Sequence, residues 1–543
     1  MNNNRFILAH KKRIGDFFFL LYIIGLVPLL ACFFTIETES CTRHTKYTLI
    51  WVVLLFLTSL LLNNKKRIVF LWVTWAITLL PAIIIFSYTL LGSAYLSYSD
   101  LDPVFATNLS ESVEFIREFA NWKIILGLGT FLTIPFIYLL RIKHNSLKIN
   151  RAGCFITIMS WVIFIAFSIP NSSRLYNSTY FVSFYHAYFL HKKDIQIFNN
   201  YTEIRSKIPP MSVNCIIPDS IPKTFVIIIG ESLSRHHMSV YGYPRETNPL
   251  LKGKEEDLLI YQDVISPNTQ TLSCMKMILT FADNKNPEPY FTQPSIIEIF
   301  QTGNFHTYWI SAQPTRGKND TQTSILTVKS DTYVSVYNED TPVHDIAVLS
   351  PLNQAIEDTT AINKAIFIHL MGNHTMYSLR YPTDYNHFNN SYPFHSPRRN
   401  LSETEKETVN EYDNTVLYND FIVDSIINMV KATEPLSYVL YFSDHGQEIY
   451  NFRNYYGHNS GNISTYMCEI PFILWRSEKH KDKIDLEIDL NRPYSTEDVI
   501  YSISQISGLQ YNTYNASKSI FSDQFIPKQR TVSKYPYESL PCK

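Results

Sequence analysis

The chain has 543 residues and a formal net charge of -1, which is too long for one ordinary domain and leaves no basic field of the kind that binds nucleic acid. Its mean hydropathy of -0.06 reads as soluble, yet the apolar residues crowd into the stretch before Pro170 while the remainder has globular composition. The seven cysteines, Cys32, Cys41, Cys154, Cys215, Cys274, Cys468 and Cys542, form no CxxC pair, which argues against thiolate metal sites.

Apolar runs able to cross a bilayer, which takes roughly 20 residues of helix, occur at residues 17–35, 47–62, 69–91, 124–140 and 154–169. Five spans are expected, because charges are confined to the gaps between them. Lys11, Lys12 and Arg13, then Lys65, Lys66 and Arg67, then Arg141, Lys143, Lys148 and Arg151 mark the cytoplasmic gaps by the positive-inside rule. The first and third gaps are poorer in Lys and Arg, so five spans that start inside end outside. Residues 1–170 are therefore read as a multi-pass transmembrane domain, and the remainder of the chain as extracytoplasmic, periplasmic in a Gram-negative cell. A cleaved signal peptide fits the first span poorly, since the run is long, lacks an A-x-A site and is followed by further spans. Outside the cytoplasm, one or two disulfides among Cys41, Cys215, Cys274, Cys468 and Cys542 become available.

Residues 171–222 are aromatic and mixed in charge, with Tyr180, Phe181, Phe184, Tyr185, Tyr188 and Phe189 ahead of His191, Lys192 and Lys193. This pattern suits an interfacial helix with its rings at the headgroup level, or a packed linker helix.

From 223 to 543 the pattern changes to short β-branched or aromatic runs, at 224–229, 307–311, 365–370 and 438–442, with helix-like stretches such as 295–300 and 409–430 between them. The alternation predicts an α/β domain with a mostly parallel central sheet covered on both faces. Ligands of such sheets bind beyond the carboxyl ends of the strands. There the first run is followed by Glu231 and Ser232, and the last by Asp444, His445 and Gly446. Carboxylates and a neutral imidazole form an O/N ligand set suited to Zn²⁺ or Mn²⁺. The run 365–370 delivers Met371-Gly-Asn-His374 to the same edge, and His458 comes after the Asp444 turn; these histidines are candidates for a second metal or for phosphate.

These segments resemble the phosphoethanolamine transferases of the alkaline phosphatase and sulfatase superfamily. The resemblance runs over nearly the whole chain: the five-span anchor, Ile229-Gly-Glu-Ser-Leu-Ser-Arg-His-His with Tyr241-Gly-Tyr after it, Met371-Gly-Asn-His running on to Arg380-Tyr-Pro, Glu411-Tyr-Asp-Asn, and Ser443-Asp-His-Gly. It implies an α/β alkaline-phosphatase-like catalytic domain and a metal-bound threonine nucleophile. The matching segment is Ser266-Pro-Asn-Thr-Gln-Thr-Leu-Ser, which makes Thr271 the nucleophile and Thr269 the fallback. The zinc ligands implied are Glu231, Thr271, Asp444 and His445, with His374 and His458 as an accessory pair that is catalytic or substrate-binding. The donor implied is phosphatidylethanolamine, and the acceptor is a lipopolysaccharide core sugar or lipid A at the bacterial inner membrane. Asn268 and Lys276 stand where the lipid A enzymes carry cysteines beside the threonine, so the segment looks closer to the core-oligosaccharide branch. Thr107-Asn-Leu-Ser-Glu111 is similar to the family's T-[ND]-x-x-E segment associated with the lipid donor, where the Glu111 carboxylate would hold an ethanolamine ammonium and Thr107 and Asn108 would line the site. Without the family it reads as a helix start with Thr107 or Asn108 as N-cap.

Two other functions compete. A phosphoglycerol transferase of the same superfamily shares the anchor and the threonine chemistry, and a non-catalytic membrane sensor would keep the fold with a decayed site. A sulfatase proper needs a Cys or Ser in a C/S-x-P-x-R context, which does not follow the Glu231 run.

Overall fold

The computed structural model describes residues 13–34, 38–90, 101, 122–142, 151–168, 179–199, 207–208, 211–313, 324–338, 343–390, 401–433 and 435–541. The chain divides into two compact units, Met1–Asp194 and Ile195–Lys543.

The first unit is helical, with α1 (Ile14–Phe34), α2 (Thr38–Leu61), α3 (Asn64–Leu90), α4 (Trp122–Arg141), α5 (Arg151–Ser168) and α6 (Tyr180–Asn199). Each predicted apolar run falls on one of the first five. Among the described residues, His44–Leu61 and Asn64–Ser87 are long and apolar enough to cross a membrane, while Ile14–Pro28, Ile125–Arg141 and Gly153–Phe167 are shorter apolar helices. Two of the basic residues predicted for one side, Arg13 and Arg67, lie near one another in this bundle. The Arg13 guanidinium donates to the Ser59 carbonyl at 2.8 Å, and Arg67 donates to Asp16 Oδ2 at 3.2 Å. Tyr138 near the end of α4 donates to Asp16 Oδ1 at 2.7 Å. The aromatic helix α6 is a packed one. Tyr180, Phe181 and Phe184 are buried against α1 and its neighbours, and the Tyr180 hydroxyl donates to the Ile23 carbonyl; Tyr188 and Phe189 stay exposed.

The second unit is built on a seven-stranded sheet. Its strands are β1 (Lys223–Gly230), β2 (Leu258–Ile260), β3 (His306–Ser311), β4 (Thr332–Ser335), β5 (Asn363–His369), β6 (Leu436–Ser443) and β7 (Phe472–Arg476), in the order β2-β7-β6-β1-β5-β3-β4. The sheet is mixed rather than mostly parallel throughout: β6, β1, β5, β3 and β4 run parallel, β7 is antiparallel to β6, and β2 is antiparallel to β7. The central strands are buried on both faces, as their unbroken apolar runs require. Phe225, Ile227 and Ile229 of β1 face one core with α7 (Thr271–Ile278), α8 (Ile296–Thr302) and α11 (Val499–Ile506). Val226 and Ile228 face the other, with α9 (Leu349–Glu357) and the 30-residue α10 (Glu403–Ala432). Register sets up the chemistry: Gly230 pairs with Ser443, and Ile229 with both Phe442 and His369. Residues 231, 371 and 444 therefore lie at one level, just beyond the sheet.

Candidate metal and phosphoryl-transfer site

Three strand ends meet here. Past β1 the chain turns at Ser232, whose φ of 58° is unusual for a residue with a side chain. Past β5 it turns at Gly372, with a φ of 50°, where any Cβ would stand 2.9 Å from the Glu231 carbonyl oxygen. Backbone bonds lock the turns together: Asp444 N–H donates to the Gly230 carbonyl and Asn373 N–H to the Glu231 carbonyl, both at 2.9 Å. The Met371 and Gly372 N–H groups each donate to the buried Asp345 carboxylate at 2.8 Å.

Glu231, Asp444 and His445 converge, fully buried, with one potential ligand atom from each lying within 4.8 Å of the others. Asp444 Oδ1 accepts from the Ser232 N–H at 3.0 Å and the His445 N–H at 2.7 Å, while Oδ2 is buried without a hydrogen-bond partner. His445 Nδ1 donates to the Gly446 carbonyl at 2.9 Å, which leaves the Nε2 lone pair facing Glu231 and Asp444, 3.5 Å from each. Glu231 accepts from the Ser232 hydroxyl at 2.7 Å and the Gln313 amide at 3.3 Å. Burial pushes the Glu231 carboxyl up to about 8, helped by the Asp444 charge beside it. Burial likewise raises Asp444 to about 7 against its two N–H bonds, and lowers His445. Two carboxylates that resist ionisation around a lone pair and an orphaned oxygen are what a bound cation would relieve, so the residues fit a zinc-type ion.

Thr271 completes the cluster. It is the first residue of α7, and its hydroxyl lies 3.3 and 3.4 Å from the Glu231 carboxylate oxygens and 3.3 Å from His445 Nε2. Thr269 does not reach this cluster: it is buried and its hydroxyl donates to the Asn459 carbonyl at 2.9 Å. The His458 ring lies 4.3 Å from that of His445, and its Nδ1 has no partner. His374 couples electrostatically with both His445 and His458. Burial, with the Arg380 charge adding, holds His374 at about 3, and burial holds His458 well below the usual imidazole range. Both rings are therefore neutral and can present an N–H to a phosphoryl oxygen.

All six predicted catalytic-domain residues are thus together. Thr107, Asn108 and Glu111 lie outside the described residues. Cys154, Cys215, Cys274 and Cys468 are free thiols, so the disulfides open to Cys215, Cys274 and Cys468 are not formed. Sequence reasoning passed over Gln313 and Asp345. Gln313 comes two residues after a predicted strand end, a signal that was available; Asp345 lies on no strand end and had none.

Comparison with known proteins agrees with this geometry. The sulfatase family profile matches residues 223–509, more than half of the chain. Phosphoethanolamine transferase CptA of Salmonella typhimurium is 29% identical over 526 residues, covering 92% of this chain and 89% of the relative. The C-terminal periplasmic domain of EptC from Escherichia coli, solved as a complex with Zn, is 33% identical, with a TM-score of 0.59 over 62% of this chain and 98% of that domain. The integral membrane lipooligosaccharide phosphoethanolamine transferase A of Neisseria meningitidis, 18% identical, shares the fold over 94% of this chain and 98% of its own, with a TM-score of 0.67. A family profile over the residues that include Glu231, Thr271, Asp444 and His445, with relatives of one kind spanning nearly the whole chain, identifies it: the protein belongs to the sulfatase family, among its phosphoethanolamine transferases.

Proposed function

We propose that the chain moves phosphoethanolamine from phosphatidylethanolamine to lipopolysaccharide, on a core sugar or on lipid A, through a covalent intermediate at Thr271. The observation that carries this reading is the Thr271 hydroxyl within 3.4 Å of Glu231 and 3.3 Å of His445 Nε2, beside the orphaned Asp444 oxygen. Glu231, Thr271, Asp444 and His445 would hold the metal, and zinc is favoured over manganese because the related Escherichia coli domain binds it. Zinc, when bound, supplies a Lewis acid that favours the alkoxide form of an alcohol and draws charge from a phosphoryl oxygen.

The protein's own groups do the rest. Thr271 Oγ bonds to phosphorus as its proton leaves on the Glu231 side, and the bond from phosphorus to the glycerol oxygen breaks; that oxygen takes up a proton and departs as diacylglycerol. An acceptor hydroxyl or phosphate oxygen then bonds to phosphorus, the bond to Thr271 breaks, and the threonine regains its proton. His374 and His458 donate N–H bonds to the phosphoryl oxygens, which carry growing charge in each transition state. Residues 1–170 form a five-span anchor, 171–222 link it, and 223–543 work in the periplasm. In the segment 107–111, Glu111 pairs with the ethanolamine ammonium of the donor.

Mass spectrometry of envelope glycolipids, with and without the gene, tests the reading. A phosphoethanolamine increment on core sugar or lipid A that depends on the gene is expected; identical glycolipids, or a phosphoglycerol increment, would refute it.

A further inference from the structure

Three consecutive carbonyl groups, of Met467, Cys468 and Glu469, each take one N–H from a different site-bearing loop. Gly446 N–H, beyond Asp444 and His445, donates to Met467 at 3.0 Å; Ser266 N–H, on the way to Thr271, donates to Cys468 at 2.8 Å; and Arg235 N–H, beyond Glu231, donates to Glu469 at 3.1 Å. Gly446 lies so close to this segment that a Cβ there would collide with the Tyr466 carbonyl oxygen. Ile470 N–H donates back to Val264, and Ile265 bridges Glu469 antiparallel, so residues 264–266, ahead of Thr271, are paired to this segment. The Glu469 side chain adds a second tie to the same places. Its buried carboxylate accepts from Arg235 at 2.8 Å, meets His236 Nε2 at 2.5 Å and takes the Tyr537 hydroxyl, while Arg235 also donates to the Gln262 carbonyl just ahead of Val264.

We propose that Glu469 is a positioning residue for the transfer reaction, keeping the Thr271 loop in register with the turns that carry Glu231, Asp444 and His445. The proposal rests on the function given above. The metal-ligand turns do not depend on Glu469 for their relation to one another, since β1 and β6 are direct neighbours and Asp444 bonds to both the Gly230 carbonyl and the Ser232 N–H. Thr271 has no such anchor in the sheet. Its loop is held through Cys468 and Glu469, through the parallel pairing of Val264 and Ile265 with Tyr494 and Ser495, through the Pro267 carbonyl, which accepts from Ser533 N–H and the Asn284 amide, and through the Thr269 hydroxyl on Asn459. Loss of the Glu469 carboxylate should therefore leave Glu231, Asp444 and His445, which hold the ion without help from Thr271, in place while Thr271 drifts, and a drift of about 1 Å costs on the order of 100-fold in rate.

The test uses the full-length protein in detergent with phosphatidylethanolamine micelles. It measures zinc content and the rate at which the covalent phosphoethanolamine adduct forms per zinc-loaded molecule. Glu469→Ala is expected to keep wild-type zinc content and to form adduct roughly 10- to 100-fold more slowly, with KM for the lipid unchanged. Glu469→Gln, whose amide oxygen can still accept from Arg235, should recover to within about 3-fold of wild type. If Glu469→Ala does not fold, Tyr537→Phe removes one hydroxyl from the carboxylate and is expected to slow adduct formation by about 3-fold. A wild-type rate in Glu469→Ala, or in Tyr537→Phe where that variant stands in, overturns the proposal, as does a loss of rate that only tracks lost zinc. Absence of any adduct on the wild-type protein would instead overturn the transfer reading, and this inference with it.

Discussion

Glu469 shows how a single side chain reports on its surroundings. Burial alone would raise its carboxyl, but the hydrogen bond and charge of His236, the Arg235 guanidinium and the Tyr537 hydroxyl outweigh that and hold it at about 2, below its ordinary 4.5. A carboxyl whose folded value is depressed contributes stability that is present above the unfolded value and lost as the pH falls through the folded one. The window here runs from about 4.5 down to about 2, and the contribution is roughly 3 kcal/mol. Glu469→Gln should therefore melt below wild type at pH 6, with the gap narrowing below about pH 4.5 and closing only at about pH 2; a gap that stays constant from about pH 6 to about pH 3 would contradict the account. At this scale the sequence was most informative where chemistry sits on a strand end. Glu231, Asp444 and His445 come directly after apolar runs, and His374 comes within four residues of one. Glu469 gave no such signal, because its partners Arg235, His236 and Tyr537 are brought to it only by the fold.

Among the elements, the turn after β5 combines a left-handed backbone with a close approach to a proposed ligand. Gly372 combines a φ of 50° with backbone atoms of Glu231 at 2.9 and 3.0 Å from any added Cβ. The left-handed conformation alone costs a side chain on the order of 1 kcal/mol, and the clash adds to it. Gly372→Ala should lower unfolding stability by about 2 kcal/mol and weaken zinc binding, because the atoms in the way belong to a proposed ligand. Chemical unfolding and chelator competition read these separately, and wild-type values in both would show that the turn yields freely. The parallel strands β1, β3, β5 and β6 were legible because burial makes them nearly unbroken apolar runs; the half-buried edge strand β4 was not. Nor was the antiparallel edge. The strand β2 has only three residues, and in β7 the run Phe472–Arg476 ends in a charged residue, so neither had the length to stand out before its pairing to β6 was known.

Across the whole molecule, the division between an apolar helical unit and an α/β unit arises from composition alone. The grouping of Arg13, Asp16, Arg67 and Tyr138 in the bundle accords with the predicted placing of the basic gaps at Arg13 and Arg67 on one side. Span number was less legible, since α1, α3 and α4 each run on through a proline, and apolar composition alone does not fix where a helix stops. On the proposed function, an anchor of this kind would suit a lipid donor, because the proposed covalent intermediate would be loaded at a membrane and unloaded onto a glycolipid. The most direct measurement is intact-protein and peptide mass analysis after mixing the full-length protein with phosphatidylethanolamine and no acceptor. The account predicts a phosphoethanolamine increment on the peptide carrying Thr271, absent in Thr271→Ala and after zinc is stripped. The same increment appearing in Thr271→Ala, or on a peptide that lacks Thr271, would contradict it.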